Sequence, residues 1–491
     1  MVDPTTAADA DAHETLDPAD LEGLRALAHR MVDDAFADLT VLADRPVWRP
    51  FPEELAPSFE TPAPRAGVGA EAAYERYRAD VRPYLMGNDH PRFWGWYVGN
   101  GTMVGALGAF LAAASNPNLG GGNHAAVRVE QQVVRWCAEL LGFPLDAGGL
   151  MVGGASMANL VGWTVARHVH AGVDVRAEGV AAITEPLVAY ASEEAHACHQ
   201  RSAELLGLGA RALRLIPTDD AYRINLAALR TAIHEDRAAG RKPFLVVGNA
   251  GTINTGAVDD LDALADLCAE EGLRFHVDGA IGALVGLAPA LAPLVRGIER
   301  ADSIAFDLHK WMHVPFEAGM VLVRDADAQH ATFATSPAYL AHAPRGLAGG
   351  ATWLTEYGLE TSRDFKALKV WLSWMDRGVD VYGRMMQRNV DQAHHLAARI
   401  EREPQLELMA PVGLDIVCFR VRPEGWSEDR LDVLNRELLM RMHESGVAVP
   451  SYTTLDGKYC LRVAIGNHRS THADFDHFVD ALLAMVPEIE A

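Results

Sequence analysis

Apolar residues recur along this chain in two patterns. Short continuous runs, LVAYAS (187–192), ALRLIP (212–217), FLVVGN (244–249), FHVDGA (275–280), SIAFD (303–307) and GMVLVR (319–324), read as buried strands. Between them lie stretches with helical spacing, such as LDALADLCAEEG (261–272). This alternation predicts an α/β fold with a mostly parallel sheet covered on both faces. Past about residue 370 the pattern changes to a long helix rich in Trp, Met and Arg, then LDIVCFRV (414–421), a helix near 429–445 and YCLRVAI (459–465). That order predicts a smaller α+β domain. At the front, residues 1–20 are acidic and Ala/Asp-rich, and LEGLRALAHRMVDDAFADL (21–39) has helical spacing with an apolar face that needs a partner surface. Six prolines within 45–68 predict a stiff connector. The expected division is an N-terminal helical segment over 1–100, a large α/β domain over 101–370 and a small α+β domain over 371–491.

Composition narrows the function classes. With 491 residues, 49% of them hydrophobic, the chain can bury a large core in two or three domains. A net charge of −23 and the lack of any Lys/Arg-rich run argue against a nucleic-acid surface. The five cysteines, Cys137, Cys198, Cys268, Cys418 and Cys460, are scattered and form no CxxC, so a reducing cytoplasm is the expected home. The first twenty residues lack the basic and apolar regions of a signal peptide, and the longest apolar stretch, Met103 to Ala114, is too short to span a bilayer, so no membrane segment is expected.

The chemistry concentrates at strand ends. Asp278 and Lys310 each follow a strand-like run, where open α/β sheets bind ligands. A lysine desolvated there can present a neutral amine to an aldehyde, and the aspartate can hold a protonated pyridine nitrogen. Together they suggest pyridoxal phosphate. Gly153, Gly154, Ala155 and Ser156 form a small-residue entry to a helical run, a place where free backbone N–H groups favour a phosphate. His196 follows LVAYAS and offers a flat ring to stack on a pyridine. Taken singly, each of these residues has a purely structural reading. A metal site built on His196, Cys198 and His199 lacks a usual zinc spacing, so no metal is expected, and no GxGxxG or P-loop follows a strand.

In this order GGASMAN, EEAH, NAGTINTGAVDD, FHVDGA, ADSIAFDLHKW and SPAYLAH resemble the pyridoxal-phosphate-dependent group II amino-acid decarboxylases, over about three quarters of the chain from HPRFWGWY (90–97) to LRVAIGN (461–467). The resemblance implies the type I fold of pyridoxal-phosphate enzymes, like that of aspartate aminotransferase. It also implies a homodimer with the active site at the subunit interface, residues 1–100 serving as its dimerisation segment. Lys310 then matches the Schiff-base lysine, Asp278 the pyridinium partner and His196 the stacking histidine. Ala155, Ser156, Ser303 and His309 match phosphate-holding positions, and Thr252 falls beside the ring. Tyr339 matches the general acid of a mobile loop, and Arg462 an arginine that orders the closed site. Ile281, Asp307 and Leu308 depart from the pattern, standing where many members carry an aromatic residue, Asn and Pro. The expected reaction is decarboxylation of an aromatic L-amino acid to its amine, with Trp96, Tyr97, His124 and Trp353 as pocket walls. Glutamate or another non-aromatic substrate is an alternative, and so is oxidative decarboxylation to an aldehyde. Against the last stand His196 and Tyr339, which relatives of that kind tend to replace.

Overall fold

The structure, a computed structural model, describes residues 15–335, 342–350 and 352–490. Among the described residues the strands are β1 Phe93–Trp94, β2 Gly148–Val152, β3 Leu187–Ser192, β4 Leu213–Ile216, β5 Lys242–Asn249, β6 Arg274–Asp278, β7 Ser303–Asp307, β8 Gly319–Val323, β9 Leu406–Leu408, β10 Ile416–Val421, β11 Val449–Leu455 and β12 Lys458–Ala464. Seven of them form one sheet in the order β2-β8-β7-β6-β5-β3-β4. The five strands from β7 to β4 run parallel, while β8 is antiparallel to both of its neighbours.

Alternate residues of the central strands feed two separate cores, which is why these strands read as continuous apolar runs. Leu187, Ala189 and Ala191 of β3 pack in one cluster with Trp163 and Ala166 of the helix Ala155–His170. Val188 and Tyr190 point the other way, into the cluster that holds Leu229, Ile233, Leu261 and Leu264. The sheet is therefore covered on both faces, as expected.

Several details differ from the sequence expectations, among them the unforeseen strands β1, β9 and β11. The strand β2 was not anticipated, because GGLMV is short and opens on two glycines. The long helix past residue 370 is two helices, Lys366–Arg377 and Asp380–Glu401, broken at Gly378, whose φ of +68° favours glycine and whose N–H closes the first helix on Trp374. That first helix packs on Met103–Ser115 of the large unit, so a boundary at 370 falls inside it. Finally, the proline-rich connector contains a 3-10 turn, Glu53–Phe59, since proline's fixed φ suits that helix.

The second sheet has the order β1-β11-β12-β10-β9. Its edge strand β1 comes from the N-terminal hundred residues and pairs in parallel with β11, tying the aromatic segment to the C-terminal unit. The helix Leu21–Thr40 buries only Leu27, and leaves Leu21, Leu24, Val32 and Phe36 exposed.

Candidate active site

Parallel strands deliver their C-terminal residues to one edge of the sheet. Asn249 ends β5, Asp278 ends β6 beside it in register, and Asp307 ends β7. The turns that follow carry Thr252 and Lys310, the turn after β3 carries His196, and the turn after β2 enters the helix Ala155–His170. These residues line one cavity of about 490 Å³, together with His309, Ile253, Ile281, Phe316 and Glu317. A larger cavity of about 890 Å³, between Thr102–Val104 and the two helices after residue 365, is lined by none of the nominated residues among those described.

Asp278 is fixed by two relays whose hydrogen-bond directions can be assigned. The Trp163 Nε1–H can only donate, and it meets His199 Nδ1 at 3.2 Å. His199 is thereby left with its proton on Nε2, which donates to Asp278 Oδ2 at 2.9 Å. In the second relay Asn159 Nδ2 donates to the same oxygen at 3.0 Å. Asn159 Oδ1 accepts from His276 Nε2 at 2.7 Å, and His276 Nδ1 accepts from Ser303 Oγ, also at 2.7 Å. Both relays end on Oδ2. Among the described residues Oδ1 accepts only the Ala280 N–H, at 3.1 Å, and so keeps a lone pair for a ligand in the cavity. Burial pushes this carboxyl up, but the hydrogen bond and field of His199 outweigh it and hold Asp278 well below the usual carboxylate range. Burial also lowers His276 to about 3, so its neutral form carries the relay.

The end of the cavity at the helix Ala155–His170 is built by a close backbone approach. A Cβ on Gly319 would lie 2.5 Å from Gly154 Cα, so glycine there lets the N-terminus of the helix Ala155–His170 sit against the start of β8. No side chain of the N-cap residue caps that helix, and the Ala155 N–H donates instead to Asp307 Oδ1 at 2.7 Å. Lys310 Nζ lies 3.3 Å from Asp307 Oδ2. The amine is thus paired with the carboxylate of Asp307. His309 Nδ1 accepts the Ala318 N–H at 3.1 Å, and His196 Nδ1 accepts the Cys198 N–H at 3.2 Å, so each ring is oriented by the backbone.

Comparison with known proteins agrees with this geometry. Residues 52–422 match the model of the pyridoxal-dependent decarboxylase conserved domain. The chain is 33% identical to an aromatic-L-amino-acid decarboxylase of Bacillus atrophaeus, covering 95% of this chain and 96% of that one. It is 30% identical to a phenylacetaldehyde synthase of Arabidopsis thaliana, over 92% and 94%. Among solved structures, Oryza sativa TDC with PLP and tryptamine superposes with a TM-score of 0.88 at 25% identity, covering 97% of this chain and all of that one. Mouse CSAD gives 0.87 at 25% identity, over 95% and 99%. This chain is a pyridoxal-dependent decarboxylase. The type I fold expected from its motifs holds.

Pyridoxal phosphate fits the residues present in this decarboxylase. The cavity has the volume of a cofactor site, and its lining includes an amine, a carboxylate oxygen with a spare lone pair and a helix N-terminus that its own N-cap residue does not cap. Cys198, His199 and Asp278 bring three ligand atoms within 4.8 Å of one another. The His199–Asp278 contact is a direct 2.9 Å hydrogen bond, which leaves no room between those atoms for an ion.

Seven nominated residues therefore meet in one cavity: Ala155, Ser156, His196, Thr252, Asp278, His309 and Lys310. The others do not. Ser303 begins β7, about 13 Å of strand away from Asp307 at ~3.3 Å per residue, and supports His276 instead of a phosphate. Tyr97 is buried and donates to Asp415 at 2.5 Å, with its ring edge on Trp311. Trp96 is 53% exposed at a φ of +53°, and its carbonyl accepts from Arg462. Arg462 also donates to Asn254 O at 3.1 Å and Ser451 Oγ at 3.0 Å, so it clamps the aromatic segment and the loop after Thr252 to the small sheet. His124 is the N-cap residue of the helix Ala125–Leu140. Trp353 packs on Gly121, where an added Cβ would lie 2.4 Å from the indole, so glycine there seats the tryptophan. Tyr339 lies outside the described residues. Sequence reasoning overlooked Asn159, His276 and the contact role of Asp307, and weighed His199 only as a metal ligand. The available signal for Asn159, His276 and Asp307 was their presence inside the motif blocks, whereas His199 lies three residues past EEAH.

Proposed function

We propose that this decarboxylase converts an aromatic L-amino acid to its amine and carbon dioxide. The observation that carries the reading is the cavity that joins Lys310, the spare lone pair of Asp278 Oδ1 and the N-terminus of the helix Ala155–His170. Pyridoxal phosphate supplies, when bound, the electron-accepting ring that makes loss of the carboxylate possible. In this assignment Lys310 anchors the cofactor aldehyde, and Ala155, Ser156 and His309 hold the phosphate end. Asp278 Oδ1 keeps a proton on the ring nitrogen, because a carboxylate held so far below its usual range gives up little of its charge. His196 and Thr252, which line the same cavity, would flank the cofactor ring. The SPAYLAH motif assigns to Tyr339 the proton donated to the substrate carbon.

The aromatic preference is supported by the cavity wall. Ile253, Ile281, Met157 and Phe316 line it, and among the described residues no arginine does, so a distal carboxylate finds no bidentate partner there. The curated relative at 33% identity carries the same preference in its name. An aldehyde product is the second reading, favoured by the phenylacetaldehyde synthase among the relatives. A dimer is supported by the apolar residues left exposed on Leu21–Thr40 and by Leu107, Phe110 and Leu111 on Met103–Ser115. A cytoplasmic home fits five free, buried cysteines, and no described helix is long and apolar enough to cross a membrane.

The test is carbon dioxide release across tryptophan, tyrosine, phenylalanine, dopa, histidine and glutamate, with the organic product identified. An aromatic substrate giving its amine is expected. Preference for glutamate would overturn the substrate class, and an aldehyde would establish the second reading. Light scattering that showed an active monomer would remove the dimer.

A further inference from the structure

Asp307 occupies the anion position of its own cofactor site. Its Oδ1 takes the Ala155 N–H at 2.7 Å, its Oδ2 lies 3.3 Å from Lys310 Nζ, and it is only 6% exposed. Ala155 is the first residue of a sixteen-residue helix, so the carboxylate sits on the positive end of the macrodipole. A phosphate held by Ala155, Ser156 and His309 needs that same end. The charged groups around Asp307 do not relieve the conflict. His309 Nδ1, 3.7 Å away, already accepts the Ala318 N–H. Glu317, whose carboxylate borders Gly153, adds a second negative charge and engages Lys366 at 3.5 Å. Lys369 stands beyond His309, and Asp364 beside Lys369. Two anions cannot share one N–H donor and one ammonium without strong repulsion.

We propose that Asp307 is a proton-linked gate on cofactor loading. When the phosphate dianion arrives, the Asp307 carboxylate takes up one proton from solvent, and the resulting O–H donates a hydrogen bond to a phosphate oxygen. No other bond forms or breaks. The bound state then carries one more proton than the free state, so affinity is greatest at low pH and falls as pH rises. An asparagine at this position supplies the same acceptor and an N–H donor without titrating.

The inference rests on the pyridoxal phosphate assignment, and the experiment separates the two. Pyridoxamine 5'-phosphate lacks the aldehyde, so it reports the phosphate and ring contacts without a covalent bond to Lys310. Its dissociation constant is measured by tryptophan fluorescence from about pH 6 to pH 9 for the wild type and for Asp307→Asn, with Asp307→Ser as a second non-titrating variant should the first not fold. Titration of the ligand's own phosphate, near pH 6, is common to all three proteins and cancels. The wild type should weaken by up to about tenfold per pH unit relative to the variant, and calorimetry in two buffers should show about one proton fewer taken up by the variant. Equal pH slopes and equal proton uptake would overturn the gate while leaving the cofactor site intact. Failure of the wild type to bind the ligand at all would remove both.

Discussion

The cavity at the ends of β5, β6 and β7 and the aromatic segment Phe93–Tyr97 were both nominated from sequence as parts of one active site, and they came to opposite ends. At the strand ends, the nominated Asp278, Lys310, His196 and Thr252 assemble as read. In the aromatic segment, Trp94 stacks on Phe475 at 4.6 Å and donates to Ser470, and Tyr97 turns inward to Asp415. The difference lies in what determines each side chain's destination. A residue at the C-terminal end of a buried parallel strand has its location set by the strand itself. A ring is equally at home in a core, a joint or a pocket, and only its packing partners choose.

The sharpest way to break this contrast is to change Lys310. Lys310→Ala should lower decarboxylation by about a thousandfold or more and abolish the visible absorption of the loaded protein, whereas Trp96→Ala should leave that absorption in place. A persistent band in the lysine variant would mean that another amine is the anchor. Next comes Asp278→Asn, expected to reduce kcat/KM by about a hundred- to a thousandfold with the fold intact. Trp163→Phe removes only the donor that sets the His199 tautomer, and should reduce it by about tenfold, the scale of one hydrogen bond to a charged group. If the two variants behave alike, the relay and not the carboxylate controls the ring. On the aromatic side, Tyr97→Phe should leave kcat within a few-fold but destabilise by about 1–3 kcal/mol in urea, since it strips a buried carboxylate of its donor. A large loss of kcat with unchanged stability would restore Tyr97 to the active site.

The smallest effect is a pH dependence. Burial lifts the Asp415 carboxyl to about 7, with the Tyr97 hydrogen bond opposing. In the unfolded chain the same group titrates near ~3.9. Between those values the folded state binds more protons, so this group's contribution to stability is present at acid pH and is lost as pH rises toward 7. Urea unfolding at about pH 5 and pH 8 should therefore show a slope of a few kcal/mol that Asp415→Asn flattens. An unchanged slope would assign the pH dependence to another group.

Most of the architecture was legible because it follows from periodicity. The six strands read from apolar runs all exist, and five of them form the parallel part of the large sheet. The break at Gly378 was missed because a single glycine is compatible with a continuing helix; only the packing of Lys366–Arg377 on Met103–Ser115 decided where the chain turned. Ser303 was misplaced because a motif read as a unit hides the length of the strand inside it.

What the amino-acid order determined by itself was the set of reactive groups and their delivery to strand ends, since both depend on neighbours within a few residues. What only the tertiary structure decided was how those groups are tuned. The relay behind Asp278 joins residues 36 to 119 positions apart, and the Ala155–Asp307 contact spans 152. Hydrogen bonds act over about 3 Å, and no local pattern records which distant side chains the folded chain brings within that distance.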